Sequence, residues 1–348
     1  MGRFTPDALE LPIVQAPLAG GPSTPALAAA VSTAGGLGFL AAGYKTAAQV
    51  AEDVAAVRAQ TDQPFGVNVF APPAAPGDHD AVARYAARLI GDAERQGAML
   101  GDARHDDDDF DAKLALLHDL RPAVASFTFG CPPPDTIAAL QQDGIAVWVT
   151  VTTAAEARQA VGAGADALVA QGTEAGGHRG GFDDVAPGAI GLLALLQLVR
   201  AETDRPLIAS GGVMTGAGIA AVLAAGANAA QLGSALMLTP EAGTSAPHRE
   251  VLQHEGETAL TRAFSGRTAR GIVNRFLREH DAEAPSAYPE VHHLTAPLRK
   301  AARTRGDADA INLWAGQAHT LAQARPVTEL VRELAADARE ALRAAAVR

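Results

Sequence analysis

Short apolar runs punctuate the chain, and most are followed by an Ala/Leu-rich stretch with helical spacing. The runs cover residues 12–15, 36–40, 65–70, 123–127, 145–151, 167–170, 207–209 and 229–232. Helix-forming segments lie between them, among them 24–33, 47–60, 134–141, 154–161, 190–201 and 218–224. Runs with little polar alternation, each leading into a helix, are what parallel strands buried on both faces look like. Eight such units predict an α/β fold, a (β/α)8 barrel of the TIM type, because eight is the count that closes one. An open doubly wound sheet is the alternative, but no GxGxxG follows the first run to support it.

Two stretches break the regular spacing. Between the third and fourth runs lies a polar excursion with Pro72, Pro73 and Pro76, a helix over 81–96 and an acidic run at 106–109. A longer excursion follows the eighth run, over about 240–325. The expected division is therefore a barrel made of 1–70, 120–239 and 326–348, with 71–119 and 240–325 forming a capping, substrate-binding region. The last segment, 327–347, sets Val327, Leu330, Val331, Leu334, Ala338 and Leu342 on one helical face, which predicts a helix closing the barrel.

Composition narrows the class. Hydrophobic residues make up 48% and charged residues 19% of the 348, which fits one large core. Aromatics are only 4%, so that core is built mainly from Ala, Val, Leu and Ile. A net charge of −11 opposes general attraction to nucleic acid or to an anionic membrane. The uncharged stretches 11–44 and 219–239 are broken by prolines in the first and by Gly226, Asn228, Gln231 and Gly233 in the second, so both read as barrel elements and not as membrane spans. Asp7 and Glu10 stand where a secretory leader would be basic, and the single cysteine, Cys131, forms no internal disulfide. The expectation is a cytoplasmic enzyme, monomeric or homodimeric.

Barrel enzymes work at the C-terminal ends of their strands. After the seventh run comes SGG, with Gly211 and Gly212, and after the eighth QLGS, with Gln231, Leu232, Gly233 and Ser234. Glycines there either make tight turns or let backbone N–H groups approach an anion, and their pairing predicts a phosphate site. After the sixth run comes QGTEAGGHRG, residues 171–180. Gly176 and Gly177 can lay bare backbone against a planar ligand, and the Gln171 amide can donate and accept at a heterocycle edge. His178 titrates near neutrality, which makes it the candidate proton acceptor. Asn68 in FGVNVF and Pro17 and Leu18 in QAPLAGG are further ligand contacts. Cys131 reads as a spectator thiol, and HDDDDFD as a solvated turn starting a helix.

Together LPIVQAPLAGG, FGVNVF, QGTEAGGHRG, SGGV, QLGS and FSGRTARGIVNRF resemble the nitronate monooxygenase family, formerly called 2-nitropropane dioxygenases, from residue 12 to about 317. INLWAGQ resembles the class I branch. The resemblance implies non-covalent FMN in a barrel with a capping domain. It also implies oxidation of alkyl nitronates or nitroalkanes, notably propionate 3-nitronate, by O2. By position, His178 matches the family's catalytic histidine; Asn68, Gln171, Gly176, Gly212 and 231–234 match its FMN contacts. Leu18 stands where Met is common, and Ser234 where Thr is frequent. An anionic substrate needs a cation, and the candidates are Arg179, Arg299 and Lys300, with Tyr288 and His292 nearby. The His292-His293 pair lacks further ligands at regular spacing, so no metal is expected.

Two rival readings stand beside this one. The first is a related flavin enzyme, an enoyl-acyl carrier protein reductase or an NADH:quinone reductase. The former commonly carries Glu at the position of Gln171 and Gly-Gly at Ala16-Pro17. The second is a non-catalytic barrel that binds a phosphorylated ligand, against which His178 at the barrel mouth argues.

Overall fold

A computed structural model describes residues 2–73, 75–184 and 189–347. Eight parallel strands form the barrel wall: Ile13–Gln15, Gly38–Ala41, Phe65–Phe70, Val124–Thr128, Ala146–Val151, Ala167–Gln171, Leu207–Ser210 and Ala229–Leu232. They follow one another in chain order around the barrel, with the eighth returning to pair with the first. Between the first and second strands the wall closes through a bridge between Val14 and Leu37. Each strand falls within two residues of the apolar run that predicts it. The strands read as unbroken apolar runs because both of their faces are covered.

Two apolar layers result. Inside the barrel, Val14, Phe39, Trp148, Val169 and Ile208 fill the lower half, and Phe4 comes up against Trp148. Outside, the alternate residues of each strand pack against the helices. The helices begin where the sequence supplies caps: Thr24, Thr46, Thr153 and Thr215 each accept a backbone N–H in the first turn. The last helix, Val327–Ala346, buries the predicted face against Gly216–Ala224 and Pro25–Thr33. That approach is close: a Cβ on Gly216 would lie 2.3 Å from Cβ of Asp337.

The two excursions meet above the mouth. The helix His79–Gln96 and the segment after the eighth strand share one core, with Tyr85, Leu89, Phe264, Phe276, Val291, Leu294 and Leu298 inside it. The Tyr85 hydroxyl donates to the Ala263 carbonyl at 2.7 Å. The helix Phe110–Leu120 packs instead with the barrel's outer layer, through Phe110 and Leu114. Absent from the pattern-based reading is a small antiparallel sheet. Thr258–Thr261 and Ala269–Ile272 form a hairpin, and its second strand pairs with Gly177–His178, setting Ala269 opposite His178. Among the described residues, no helix is long and apolar enough to cross a membrane.

Candidate active site

Every barrel strand contributes from its C-terminal end to one cavity of about 510 Å³, which the capping segment roofs with His292, Arg299, Arg303 and Trp314. The loop after the sixth strand supplies its most reactive group. His178 is held from three directions. Its backbone pairs with Ala269, its carbonyl accepts from Gln171 Nε2 at 3.0 Å, and its ring Nε2 lies 2.8 Å from Ser265 Oγ. Phe129, Tyr288 and Trp314 border the imidazole, with ring centroids 5.8, 6.0 and 5.5 Å away. Burial, with the positive charges of Arg267 and Arg299, pushes the His178 pKa down to about 3. The ring is therefore neutral at physiological pH, with one nitrogen unprotonated, and does not titrate near neutrality as its residue type alone predicts, because burial and the two arginines disfavour the charged form.

Gln171 is spent on the protein. Its Nε2 donates to the His178 carbonyl, and its Oε1 accepts from Gly180 N at 2.8 Å and from Arg179 Nη1 at 3.2 Å. The amide thus fastens the glycine loop that carries His178. Arg179 turns away from the cavity and donates to the Gly172 carbonyl at 2.6 Å. Arg267 crosses the face of Phe129 at 4.1 Å and donates to the carbonyls of Arg179 and Gly181, holding the same loop from the far side.

The cations that do face the cavity come from the helix Glu290–Arg305. Its inner face presents His292, Ala296, Arg299 and Arg303, whereas Lys300 points to solvent. Arg299 donates to Thr295 Oγ1 at 3.0 Å, to Asn312 Oδ1 at 3.2 Å and to the His292 carbonyl at 2.9 Å. None of these partners is charged, and no carboxylate stands among the described residues lining the cavity. Burial, then the charge of Arg303, pushes the Arg299 pKa down to about 10, so it remains a cation at neutral pH. His292 stacks on Tyr44 at 3.9 Å, and Tyr288 reaches the Tyr44 hydroxyl at 3.4 Å. This aromatic group separates the cavity from an outer one lined by Arg104 and the acidic run.

The mouths of the seventh and eighth strands show the predicted glycine cradle. Gly211 and Gly212 take φ of 123° and 68°, in the left-handed region that favours glycine. Ser234 Oγ accepts from Gly316 N at 2.9 Å, which leaves its proton to donate. Asn68 Nδ2 donates to Ser126 Oγ at 2.8 Å and Thr128 Oγ1 at 3.0 Å, leaving its carbonyl oxygen. Pro17, Leu18, Asn68, Gln171, Gly176, Gly177, Gly211, Gly212, Gln231, Gly233 and Ser234 all line the cavity. Leu232 does not; its side chain lies in the apolar layer outside the strand. Uncharged donors and bare backbone beside two arginines suit a planar, phosphorylated cofactor such as FMN.

A family model described as nitronate monooxygenase matches residues 6–337. The chain belongs to the nitronate monooxygenase family. A nitronate monooxygenase from Pseudomonas aeruginosa is 43% identical over 343 residues, 95% of this chain and 97% of that one. A solved structure of nitroalkane oxidase from Streptomyces ansochromogenes is similar with a TM-score of 0.95 and 52% identity, covering 97% of this chain and 99% of that one. FabK from Thermotoga maritima is a more distant likeness, with a TM-score of 0.76 and 26% identity, covering 97% and 96%. Family membership makes the chain an oxidoreductase.

Several cavity residues are not singled out by the sequence, although Ser265, Asn312 and Trp314 lie within the motifs FSGRTARGIVNRF and INLWAGQ. Tyr44, Phe129, Ser265, Asn312 and Trp314 reach the site from four separate segments. Phe129 sits at φ 78°, unusual for a bulky residue, and such strain collects at functional sites. The acidic run is also more than a solvated turn: Asp108 Oδ1 accepts from Tyr44 N at 2.8 Å, and Asp108 pairs with the buried Lys113. Away from the cavity, Asp92, Glu279 and His280 lie close enough to resemble a metal site. Asp92 is instead taken up by Arg95 at 2.7 Å, Arg275 at 2.9 Å and the His280 ring at 2.8 Å.

Proposed function

We propose that this protein is an FMN-dependent enzyme that oxidises alkyl nitronates of the propionate 3-nitronate type with O2, giving a carbonyl compound and nitrite. The observation that carries the reading is a roofed cavity holding a neutral imidazole and two arginines with no carboxylate among its described lining residues. Such a site attracts an anion and can take a proton. Gly211, Gly212, Gly233 and Ser234 would hold the phosphate of FMN. Pro17, Leu18, Asn68, Gly176, Gly177 and Gln231 would flank its ring and chain, while Gln171 and Leu232 shape the wall behind them. When bound, FMN supplies the electron-accepting chemistry that no side chain offers.

The chain's own residues do the rest. Arg299 holds the anionic end of the substrate, in place of the solvent-exposed Lys300. Tyr288, with Phe129 and Trp314, keeps water from His178. His178 takes the α-proton when a neutral nitroalkane enters, and borders the reacting carbon when a nitronate does. Arg179 and Gln171 keep the loop in shape.

The test is anaerobic mixing of the purified yellow protein with propionate 3-nitronate while its visible absorbance is followed, then nitrite assay in air. Bleaching by the nitronate and nitrite release are expected. Bleaching by NADH with a quinone or enoyl thioester, and none by nitronate, would replace this reading with a reductase. A fully loaded but colourless protein would replace it with a binding module.

A further inference from the structure

We propose that Ser265 fixes His178 in the tautomer protonated on Nε2, so that the Nδ1 lone pair is the one offered to the cavity. The proposal rests on reading His178 as the proton acceptor and adds which nitrogen accepts and what sets it.

The argument is a count of hydrogens. Ser265 Oγ lies 2.8 Å from His178 Nε2, 3.2 Å from the Arg267 carbonyl oxygen and 3.4 Å from Arg267 N. A hydroxyl donates once and accepts twice. The carbonyl can only accept, and the amide can only donate. Among the described residues, Ser265 is the donor that reaches the Arg267 carbonyl. Ser265 and Arg267 are both buried, so an acceptor left without a proton there has no bulk water to turn to.

One assignment satisfies every group. Ser265 gives its proton to the Arg267 carbonyl and accepts from His178 Nε2–H and from Arg267 N–H. In the opposite assignment Ser265 gives its proton to Nε2 and the buried carbonyl is orphaned. The same assignment puts a proton on Nδ1, which has no hydrogen-bond acceptor among the described residues. An orphaned buried acceptor shifts such a balance by a factor of about 10 or more.

The chemistry follows. As the α-carbon's C–H bond breaks, its proton passes to Nδ1 and its electron pair stays with the substrate, which becomes the nitronate. The imidazolium so formed keeps its Nε2–H on Ser265. Ser265 is thus a positioning residue, acting on the substrate through the ring.

The tautomer can be read without turnover. In the full-length, flavin-loaded protein labelled with 15N-histidine, the two His178 nitrogens are assigned by the signals missing from His178→Asn. A protonated, pyrrole-type Nε2 and a pyridine-type Nδ1 are expected. The reverse pair of shifts overturns the proposal, whatever the substrate proves to be. In Ser265→Ala both tautomers should be seen, and the ratio of neutral nitroalkane turnover to preformed nitronate turnover should fall about 10-fold. An unchanged ratio would also overturn it. If His178→Asn turned over a neutral nitroalkane normally, the role of His178 as base would fail, while the nitrogen shifts would still decide the tautomer.

Discussion

Replacing Arg299 by Met separates binding from stability in one variant. Arg299 is a cavity-facing cation with only neutral partners, Thr295 Oγ1, Asn312 Oδ1 and the His292 carbonyl. A hydrogen bond from it to an anionic substrate is worth about 1.5–3 kcal/mol, so KM for propionate 3-nitronate should rise about 10- to 100-fold. Stability should move little. Holding the guanidinium charged in this setting, where its pKa is pushed down to about 10, costs roughly 3 kcal/mol, which the Met variant recovers. Against that, three acceptors lose their donor, at about 1 kcal/mol each. The two sums are similar, and Tm should shift by no more than about 3 °C. Steady-state kinetics and a thermal melt at one pH measure both. Lys300→Met, one residue on and facing solvent, is the control and should leave KM alone. An Arg299→Met protein that keeps its flavin and its KM would show that the anion is held elsewhere.

Three further outcomes are expected. His178→Asn should stay yellow while turnover of a neutral nitroalkane falls by a factor of about 100 or more, and equal turnover would remove the imidazole from the reaction. Burial pushes His178 down to about 3 and His248 to about 4, and holds His292 well below the usual histidine range. All three stay neutral in the folded cofactor-free protein but take up protons near pH 6.5 once unfolded. Stability is therefore kept above pH 6.5 and lost as pH falls toward about 4, with His178 and His248 alone giving a slope of about 2.5 kcal/mol per pH unit near pH 5 and His292 adding to it in the same direction. Urea midpoints measured from pH 7 to 5 should track that decline, and a flat series would contradict it. Asp92→Asn leaves Arg95, Arg275 and His280 without their shared carboxylate, so it should cost about 2–4 kcal/mol in chemical denaturation. Burial alone would raise the Asp92 pKa, but those three donors hold it well below the usual carboxylate range.

The barrel was legible because its signal is local. Residues 145–151 are apolar except for Thr150, and 167–170 are apolar throughout, since strands covered on both faces need no alternation, and the strands Ala146–Val151 and Ala167–Gln171 stand there. The small sheet was not legible. Thr258–Thr261 and Ala269–Ile272 are too short to show a period, and their partner is two residues long and far away in sequence. Some site detail was within reach of periodicity. Along an extended segment side chains alternate, so once His178 faces the cavity Arg179 must face away, and Gln231 likewise excludes Leu232. On a helix, His292, Ala296, Arg299 and Arg303 recur at the spacing of one face, and Lys300 falls outside it. What periodicity could not supply is the use of the Gln171 amide, because loop carbonyls and N–H groups compete for it only once the chain has folded.

The pairing of Ala269 with His178 ties the two halves of the molecule by main chain and not by side chains alone. The roof therefore cannot lift as a rigid flap without tearing the strand that holds the imidazole. For chimera builders the same pairing sets the cut points: a roof exchanged between relatives must bring its own 258–272 hairpin, or the recipient barrel's His178 loses both its strand partner and Ser265.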